Sequence, residues 1–333
     1  MFVHTQADLD LLHAAGREAA HYADRIPGTG FYDAKLSTVW ERARDTPAYR
    51  HLGGFDRESF RRLPVTWRSE LREDPARFLR VGLDTAAVYY QATGAHPATL
   101  PSLPVPRTVE DILWEVTTLA KAWGHVVGRK DRVAVTVPSD VLPAADLVVR
   151  VCEITGALYS RAYPHVNGAC DWDRALDLWR SLRPTVVVIT PEVAVELTTL
   201  AESRDRLAGA VDPVRRLLLL GGPSTPALRS RLADSWAADV YDSGDLAEIG
   251  PIAASCELHA MHLLTSAYFV EIGRGDGALP LEQADRGRLV VTPLNWYSRV
   301  LLRYDTGRDV QLGQGCLCGR LTPTVEVQVR QPG

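Results

Sequence analysis

Residues 184–191 read PTVVVITP, a run of β-branched residues between two prolines. A short run of this composition, bounded by residues that interrupt regular structure, predicts a strand buried on both faces. Further along the chain, RRLLLLGG (215–222) is a second apolar run, and it ends at a pair of glycines. Two such strands separated by a helical pattern are typical of a parallel sheet whose faces are both covered by helices.

The same alternation extends outward from these two runs. Strands are predicted at AAVYYQA (86–92), DRVAVTVP (131–138) and GALYSRAY (156–163). Helical periodicity fills the intervals at 108–127, 142–155, 171–182, 191–203 and 225–236. The sequence therefore predicts an α/β domain with a largely parallel sheet, and ligands of such sheets bind beyond the carboxyl ends of the strands.

Different patterns flank this region. Residues 1–85 have apolar residues at helical spacing, and from about residue 262 the chain is rich in β-type runs separated by glycine turns. We expect a helical segment at 1–85, an α/β core at 86–240 and a second sheet region at 241–333, all within one structural unit.

Composition narrows the functional classes. The chain has 333 residues, of which 46% are hydrophobic, and a net charge of -4, so it can form a large core but has no basic footprint for nucleic acid or an anionic membrane. No apolar run is long enough to cross a bilayer. Five cysteines in a chain of this length argue against a disulfide framework, so we expect a reducing cytoplasm. Many Arg, Ala and Val residues against few Lys suggest a bacterial source.

Several segments together suggest a family. They are RPTVVVITP (183–191), LLLLGGPSTPALRSRL (217–232), DSGDLAEIGP (242–251), GRLVVTP (287–293), LLRYDTGRD (301–309) and CLCGRLTPTVEV (316–327). In this order and spacing, the chain resembles the phenylacetate–coenzyme A ligase branch of the adenylate-forming (AMP-binding) enzymes. The resemblance implies the large N-terminal domain of that fold, with mixed and parallel sheets, flanking helices and a distorted β-barrel. It also leads us to expect that the family's small C-terminal domain, which carries a catalytic lysine, is absent.

The family's phosphate loop is degraded in this chain. Where the family has a Ser/Thr- and Gly-rich loop ending in Gly-Lys-Pro, this chain has YQATGAHP (90–97). Thr93 keeps its chemistry, Gly94 stands at a new place, and His96 replaces the lysine. An ordinary connecting turn is the alternative interpretation, and His96 is a candidate acid or base at the same place.

The turn at Gly221 and Gly222 walls the adenine in the family, and here it is equally well explained as a strand-to-helix turn, with Ser224 or Thr225 capping the helix that starts at Pro226.

The segment DSGDLAE (242–248) aligns with a family motif that holds the nucleotide and magnesium. On this register the family's aromatic residue becomes Gly244, its glycine becomes Asp245, and only Glu248 is retained, while Asp242 and Ser243 precede them. We expect the loss of the aromatic ring to enlarge the pocket. The charge of Asp245 disfavours a triphosphate, because like charges at short range repel.

The acidic segment has a second interpretation. Its three carboxylates can shift one another's pKa values and supply an acid/base pair, in which Glu248 and Asp245 are the candidate catalytic residues. A solvated acidic turn is the alternative.

Two further loops contribute candidate residues. Ser139 and Asp140 follow a strand whose loop lines the acyl site in the family, which suggests a polar substrate. Arg303 and Asp309 match the family's ribose-binding loop with one extra residue. A β-turn with a structural Arg–Asp pair explains that loop at least as well.

A metal site is predicted from four residues. Cys256 and His262 lie close together, and the pair Cys316 and Cys318 follows about fifty residues later. Three thiolates and an imidazole form a closed tetrahedral set for zinc, so we expect a structural zinc that ties the acidic segment to the C-terminal β region. His259 is the alternative fourth ligand.

Three functions remain open. The first is an enzyme that acts without ATP on a carboxyl-derived substrate (an ester, lactone, thioester or acyl intermediate) by hydrolysis, cyclisation or acyl transfer, in bacterial specialised metabolism. ATP and magnesium are not expected for it. The second is an ATP-dependent acyl or aryl adenylating enzyme, and the third is a non-catalytic binding or scaffold protein. The expected partner is a small acyl or aryl molecule, and the sequence leaves open whether the chain forms a homodimer.

Overall fold

The computed structural model describes residues 3–82, 88–92, 103–138, 143–165, 170–204, 211–222, 224–275 and 277–328. The helices are α1 (Gln6–Tyr22), α2 (Thr29–Arg44), α3 (Arg57–Arg62), α4 (Arg68–Glu73), α5 (Val109–Ala122), α6 (Pro143–Thr155), α7 (Trp172–Leu182), α8 (Pro191–Arg204) and α9 (Pro226–Trp236). Short 3₁₀ turns lie at Pro75–Phe78 and Leu281–Gln283. None of the helices in these ranges is long and apolar enough to cross a membrane.

The strands up to the acidic segment are β1 (Val88–Ala92), β2 (Leu103–Arg107), β3 (Arg132–Thr136), β4 (Leu158–Arg161), β5 (Val186–Ile189), β6 (Arg216–Leu219) and β7 (Asp239–Leu246). The remaining strands are β8 (Gly250–Ser255), β9 (Met261–Leu263), β10 (Tyr268–Arg274), β11 (Gly277–Pro280), β12 (Arg286–Pro293), β13 (Tyr304–Gly313) and β14 (Thr324–Val327). The chain forms two compact units, one from residues 92–97 and 115–261 and the other from 2–91, 98–114 and 262–333.

The first unit is the predicted α/β fold. Strands β4, β3, β5, β6 and β7 run parallel in that order, and β8 returns antiparallel to β7. The runs that predicted β5 and β6 are buried on both faces, because helices cover the sheet. On one face, Trp179 of α7, Leu197 of α8 and Trp236 of α9 pack with apolar residues of these strands.

The local sequence determines where α9, the helix that follows β6, begins. Thr225 accepts a hydrogen bond from the Leu228 amide at 3.2 Å, and Pro226 occupies the first turn. The predicted cap is therefore confirmed, with Thr225 rather than Ser224 as the capping residue. The Ser224 hydroxyl is not used in the cap and donates to the Asp242 carboxylate.

The second unit contains an antiparallel sheet in the order β11, β10, β12, β13, β14 and β9. Helices α1 to α4 belong to the same unit. Strand β1, which we predicted beside the parallel strands, pairs instead with β2 in a two-stranded sheet. The proline-rich sequence of β2, LPVPR, gave no strand signal, because proline cannot donate a ladder hydrogen bond.

Candidate functional site

The acidic segment forms the end of strand β7 and the turn into β8. Asp242 lies beside Leu219 of β6, near the carboxyl edge of the parallel sheet. Its side chain is nearly buried, and one carboxylate oxygen accepts hydrogen bonds from the Ser224 hydroxyl and from Arg229 Nη1, the latter at 3.3 Å. Its backbone amide donates to Ser255 Oγ at 2.8 Å.

Burial is the main cause of the pKa shift of Asp242. Desolvation raises its pKa to about 6, although the hydrogen bond from Ser224 and the charge of Arg229 oppose the shift. The charge of Asp245 raises the pKa further. The charge of Asp245 thus contributes to the raised pKa of Asp242, while burial is the larger cause.

The carboxylate of Asp245 contacts the glycine turn that follows β6. The Gly221 amide donates to Asp245 Oδ1 at 3.3 Å, and Gly221 has a φ of 80°, which favours glycine. Glu192, at the start of α8, borders the next residue, since a Cβ at Gly222 would lie 3.0 Å from Glu192 Oε1. The turn that walls a nucleotide in the resembled family is therefore lined by carboxylates in this chain.

The expected enlargement at Gly244 is not found at this position. A Cβ on Gly244 would lie 3.1 Å from Met261 Cε and 3.2 Å from Ala253 Cβ. Side chains of the neighbouring chain segments already occupy the room beside the glycine. The sequence could not predict that this space is filled, because Met261 lies well outside the motif. Met261 contacts Gly244 only after β8 has turned back along β7.

Ser243 and Glu248 are buried within the same segment. Because successive side chains alternate between sheet faces, Ser243 points away from the face of Asp242. The Ser243 hydroxyl has no hydrogen-bond partner among the residues that the structure describes. Glu248 lies in the turn that joins β7 to β8, at 2% exposure.

Arg303 has a structural environment in the second unit. Its Nε and Nη2 bond Glu271 at 3.1 and 3.0 Å, and its remaining N–H groups donate to the carbonyl oxygens of Arg61, Leu63 and Ala278. All five donors of the guanidinium are used inside the protein. The alternative of a structural ion pair therefore fits Arg303, with Glu271 rather than Asp309 as its partner.

Asp309 lies on β13 opposite Arg288 of β12, and its carbonyl oxygen accepts from the Gln328 amide at 2.8 Å. Of the other predicted positions, Thr93, Gly94, His96, Ser139 and Asp140 lie outside the described residues.

The four predicted metal ligands come together. The ligand atoms of Cys256, His262, Cys316 and Cys318 all lie within 4.8 Å of one another. A tetrahedral zinc with Zn–S bonds of about 2.3 Å needs ligand atoms roughly 3.5–4 Å apart, so a small contraction closes this set. Cys256 and His262 are buried, as expected for a structural site.

The tautomer of His262 is fixed by its second nitrogen. Nδ1 lies 2.8 Å from the Thr322 carbonyl oxygen, which can only accept a hydrogen bond, and Nε2 lies 3.4 Å from Cys318 Sγ. The imidazole therefore donates from Nδ1 and presents the Nε2 lone pair to the thiolates, an arrangement that orients metal-binding histidines in proteins. A metal fits this donor set.

The alternative ligand His259 turns elsewhere. Its Nδ1 lies 3.1 Å from the Val240 carbonyl oxygen, and its ring packs on Tyr241 with centroids 4.8 Å apart.

Cys152 is buried in α6, so it is a core residue, and desolvation raises the pKa of its thiol to about 12.

No protein-family model and no curated protein matches this sequence. Several solved structures match the fold of this chain. A 2-hydroxyisobutyryl-CoA ligase in an open conformation, in complex with 2-HIB-AMP and CoA, aligns with 20% identity and a TM-score of 0.77 over 88% of this chain and 67% of that one. The same ligase in its thioesterification state aligns over 97% of this chain and 68% of that one, with 20% identity and a TM-score of 0.71. A long-chain-fatty-acid-CoA ligase from Archaeoglobus fulgidus aligns with 15% identity and a TM-score of 0.53 over 73% and 51%.

These matches establish the fold. The chain has the architecture of the large N-terminal domain of adenylate-forming enzymes, as predicted, and spans about two thirds of the length of the first ligase. At this level of identity the likeness extends to the fold and not to the activity.

Proposed function

We propose that the protein is an enzyme that acts without ATP on a carboxyl-derived substrate, such as an ester, lactone, thioester or activated acyl group. The observation that carries the proposal is the contact between Asp245 and the Gly221 amide. A carboxylate of the chain itself takes the backbone donor of the glycine turn, and Glu192 adds negative charge beside it. Two like charges about 4 Å apart near a protein surface repel by about 4 kcal/mol, so an anionic nucleotide is disfavoured there.

Asp242 supplies the chemistry in this proposal. A carboxyl group with a pKa of about 6 exists in both protonation states near neutral pH, so it can take a proton from a nucleophile or return one to a leaving group. Arg229 and Ser224 hold the carboxylate in one orientation. Asp245 tunes the pKa of Asp242, and Glu248 and His96 remain candidate partners in proton transfer.

Turnover of simple acyl probes tests this function. We expect the purified protein to cleave p-nitrophenyl esters or acyl thioesters without nucleotide, and Asp242→Asn to reduce the rate by about 100-fold or more, the usual contribution of an acid–base group. Asp177→Asn is the matched control, because Asp177 is an exposed acid paired with Arg180. An activity that requires ATP, or one that Asp242→Asn leaves unchanged, would refute the proposal.

ATP-dependent adenylation is the competing function. What favours it is the fold shared with a ligase solved with 2-HIB-AMP and CoA. A binding or scaffold role is the third candidate, and it predicts neither turnover nor nucleotide binding.

We also propose that Cys256, His262, Cys316 and Cys318 hold zinc in a structural role. Three thiolates and an imidazole suit zinc better than harder cations such as magnesium. With all four positions supplied by protein, the ion has no open site for a substrate.

A further inference from the structure

Two of the proposed metal ligands, Cys256 and His262, bracket a tight turn. The Cys256 amide donates to the Ala260 carbonyl oxygen at 2.8 Å, and the His259 amide donates to the Cys256 carbonyl oxygen at 2.9 Å. His259 adopts the left-handed conformation, with a φ of 61°, that closes the turn. The position of the turn is thus linked to the positions of both ligands.

The residues next to these ligands contact strand β7. Ser255, which precedes Cys256, accepts a hydrogen bond from the Asp242 amide at 2.8 Å. The Ser255 hydroxyl donates in turn to Met261 Sδ at 3.3 Å, and Met261 precedes His262. The methyl group of Met261 fills the room beside Gly244.

The middle of the turn makes a third contact with the same strand. The His259 ring lies over Tyr241, and its Nδ1 faces the Val240 carbonyl oxygen. Together with Ser255, which precedes it, the turn therefore contacts β7 at four positions: the Val240 carbonyl oxygen, the Tyr241 ring, the Asp242 amide and the space beside Gly244.

We propose that Ser255, His259 and Met261 are positioning residues that transmit metal occupancy to the acidic strand. Metal binding fixes Cys256 and His262, and these three neighbours then hold the part of β7 that carries Asp242. The inference rests on the proposed metal site and is independent of the proposed reaction, so a failure of one leaves the other open to its own test.

Hydrogen–deuterium exchange on the zinc-loaded and chelator-treated protein tests this inference, with zinc content measured in both samples. We expect zinc near one per chain, and removal to speed exchange in residues 239–246 by about tenfold or more, because local opening then costs less. Strand β5, buried in the same sheet, is the internal control and should not change.

Ser255→Ala separates positioning from metal binding. The variant should keep its zinc, while the Asp242 amide exchanges quickly whether zinc is present or not. Ser298→Ala is the matched control, because Ser298 is also buried and its hydroxyl donates to the Pro106 carbonyl oxygen, and it should keep the zinc-dependent difference.

Three results would overturn the inference. They are the same exchange in 239–246 with and without zinc, no zinc bound to the protein, and a general loss of protection that includes β5. A Ser255→Ala variant that retains the full zinc-dependent difference would remove Ser255 from the role.

Discussion

At the scale of single residues, Asp242 is a nearly buried acid, and this burial raises its pKa to about 6. The sequence identified it as part of an acidic segment, but the partners that set its properties, Ser224 and Arg229, come from the turn and helix after β6. They could not be assigned from the sequence, because the contact forms only when β6 and β7 pair in parallel.

The pKa of Asp242 makes folding stability depend on pH. Its folded-state pKa of about 6 lies above the model value of 3.8, so the folded state binds the proton more tightly and stability falls as pH rises between these values. Asp242→Asn, which resembles the protonated acid, should remove that fall. Relative to the wild type, the variant should gain up to about 3 kcal/mol in the free energy of unfolding between pH 4 and pH 7.

Urea unfolding of both proteins across this pH range provides the measurement. When the free energies of unfolding of the two proteins are subtracted at each pH, the contributions of the other titrating groups cancel. Parallel pH profiles for the wild type and the variant would show that burial does not raise the pKa of Asp242.

At the scale of elements, the apolar runs predicted the parallel strands well, because strands buried on both faces must be apolar throughout. Strand β2 and the pairing of β1 could not be predicted, since two prolines hid one strand and pairing partners are not encoded in a local pattern. The acidic segment 242–248 lies mostly in β7, and the sequence did not predict this strand, because glycine and acidic residues lower strand propensity even where a sheet accommodates them.

The pair Glu271–Arg303 belongs to this scale, because it joins β10 to the residue before β13 and to the C-terminal end of α3. Both side chains are at most 4% exposed. Glu271→Gln leaves a buried guanidinium without its counter-charge, and removing one partner of a buried pair costs about 3–5 kcal/mol.

Equilibrium unfolding measures this cost. Glu58→Gln, in the exposed pair Glu58–Arg62, is the matched control and should change stability by less than about 0.5 kcal/mol. Equal effects of the two substitutions would contradict the structural role that we assign to Arg303.

At the scale of the whole molecule, motif order along the chain predicted the fold of adenylate-forming enzymes, and the solved ligases confirm it. The two compact units are each built from separate stretches of chain, and the boundaries drawn at residues 85 and 240 stay a prediction. The convergence of Cys256, His262, Cys316 and Cys318 was predictable because soft ligands in a recurrent spacing have few other uses. The structure, and not the sequence, separates the two candidate histidines: His262 lies with the three cysteines, whereas the turn directs His259 towards Val240 and Tyr241.

The central claim is that this fold works here without nucleotide, and isothermal titration calorimetry with ATP and magnesium tests it most directly. We predict no heat of binding up to millimolar ATP, because the chain's own carboxylates line the Gly221–Gly222 turn. A Kd clearly below about 1 mM, which corresponds to a binding free energy of about -4 kcal/mol, would contradict the account.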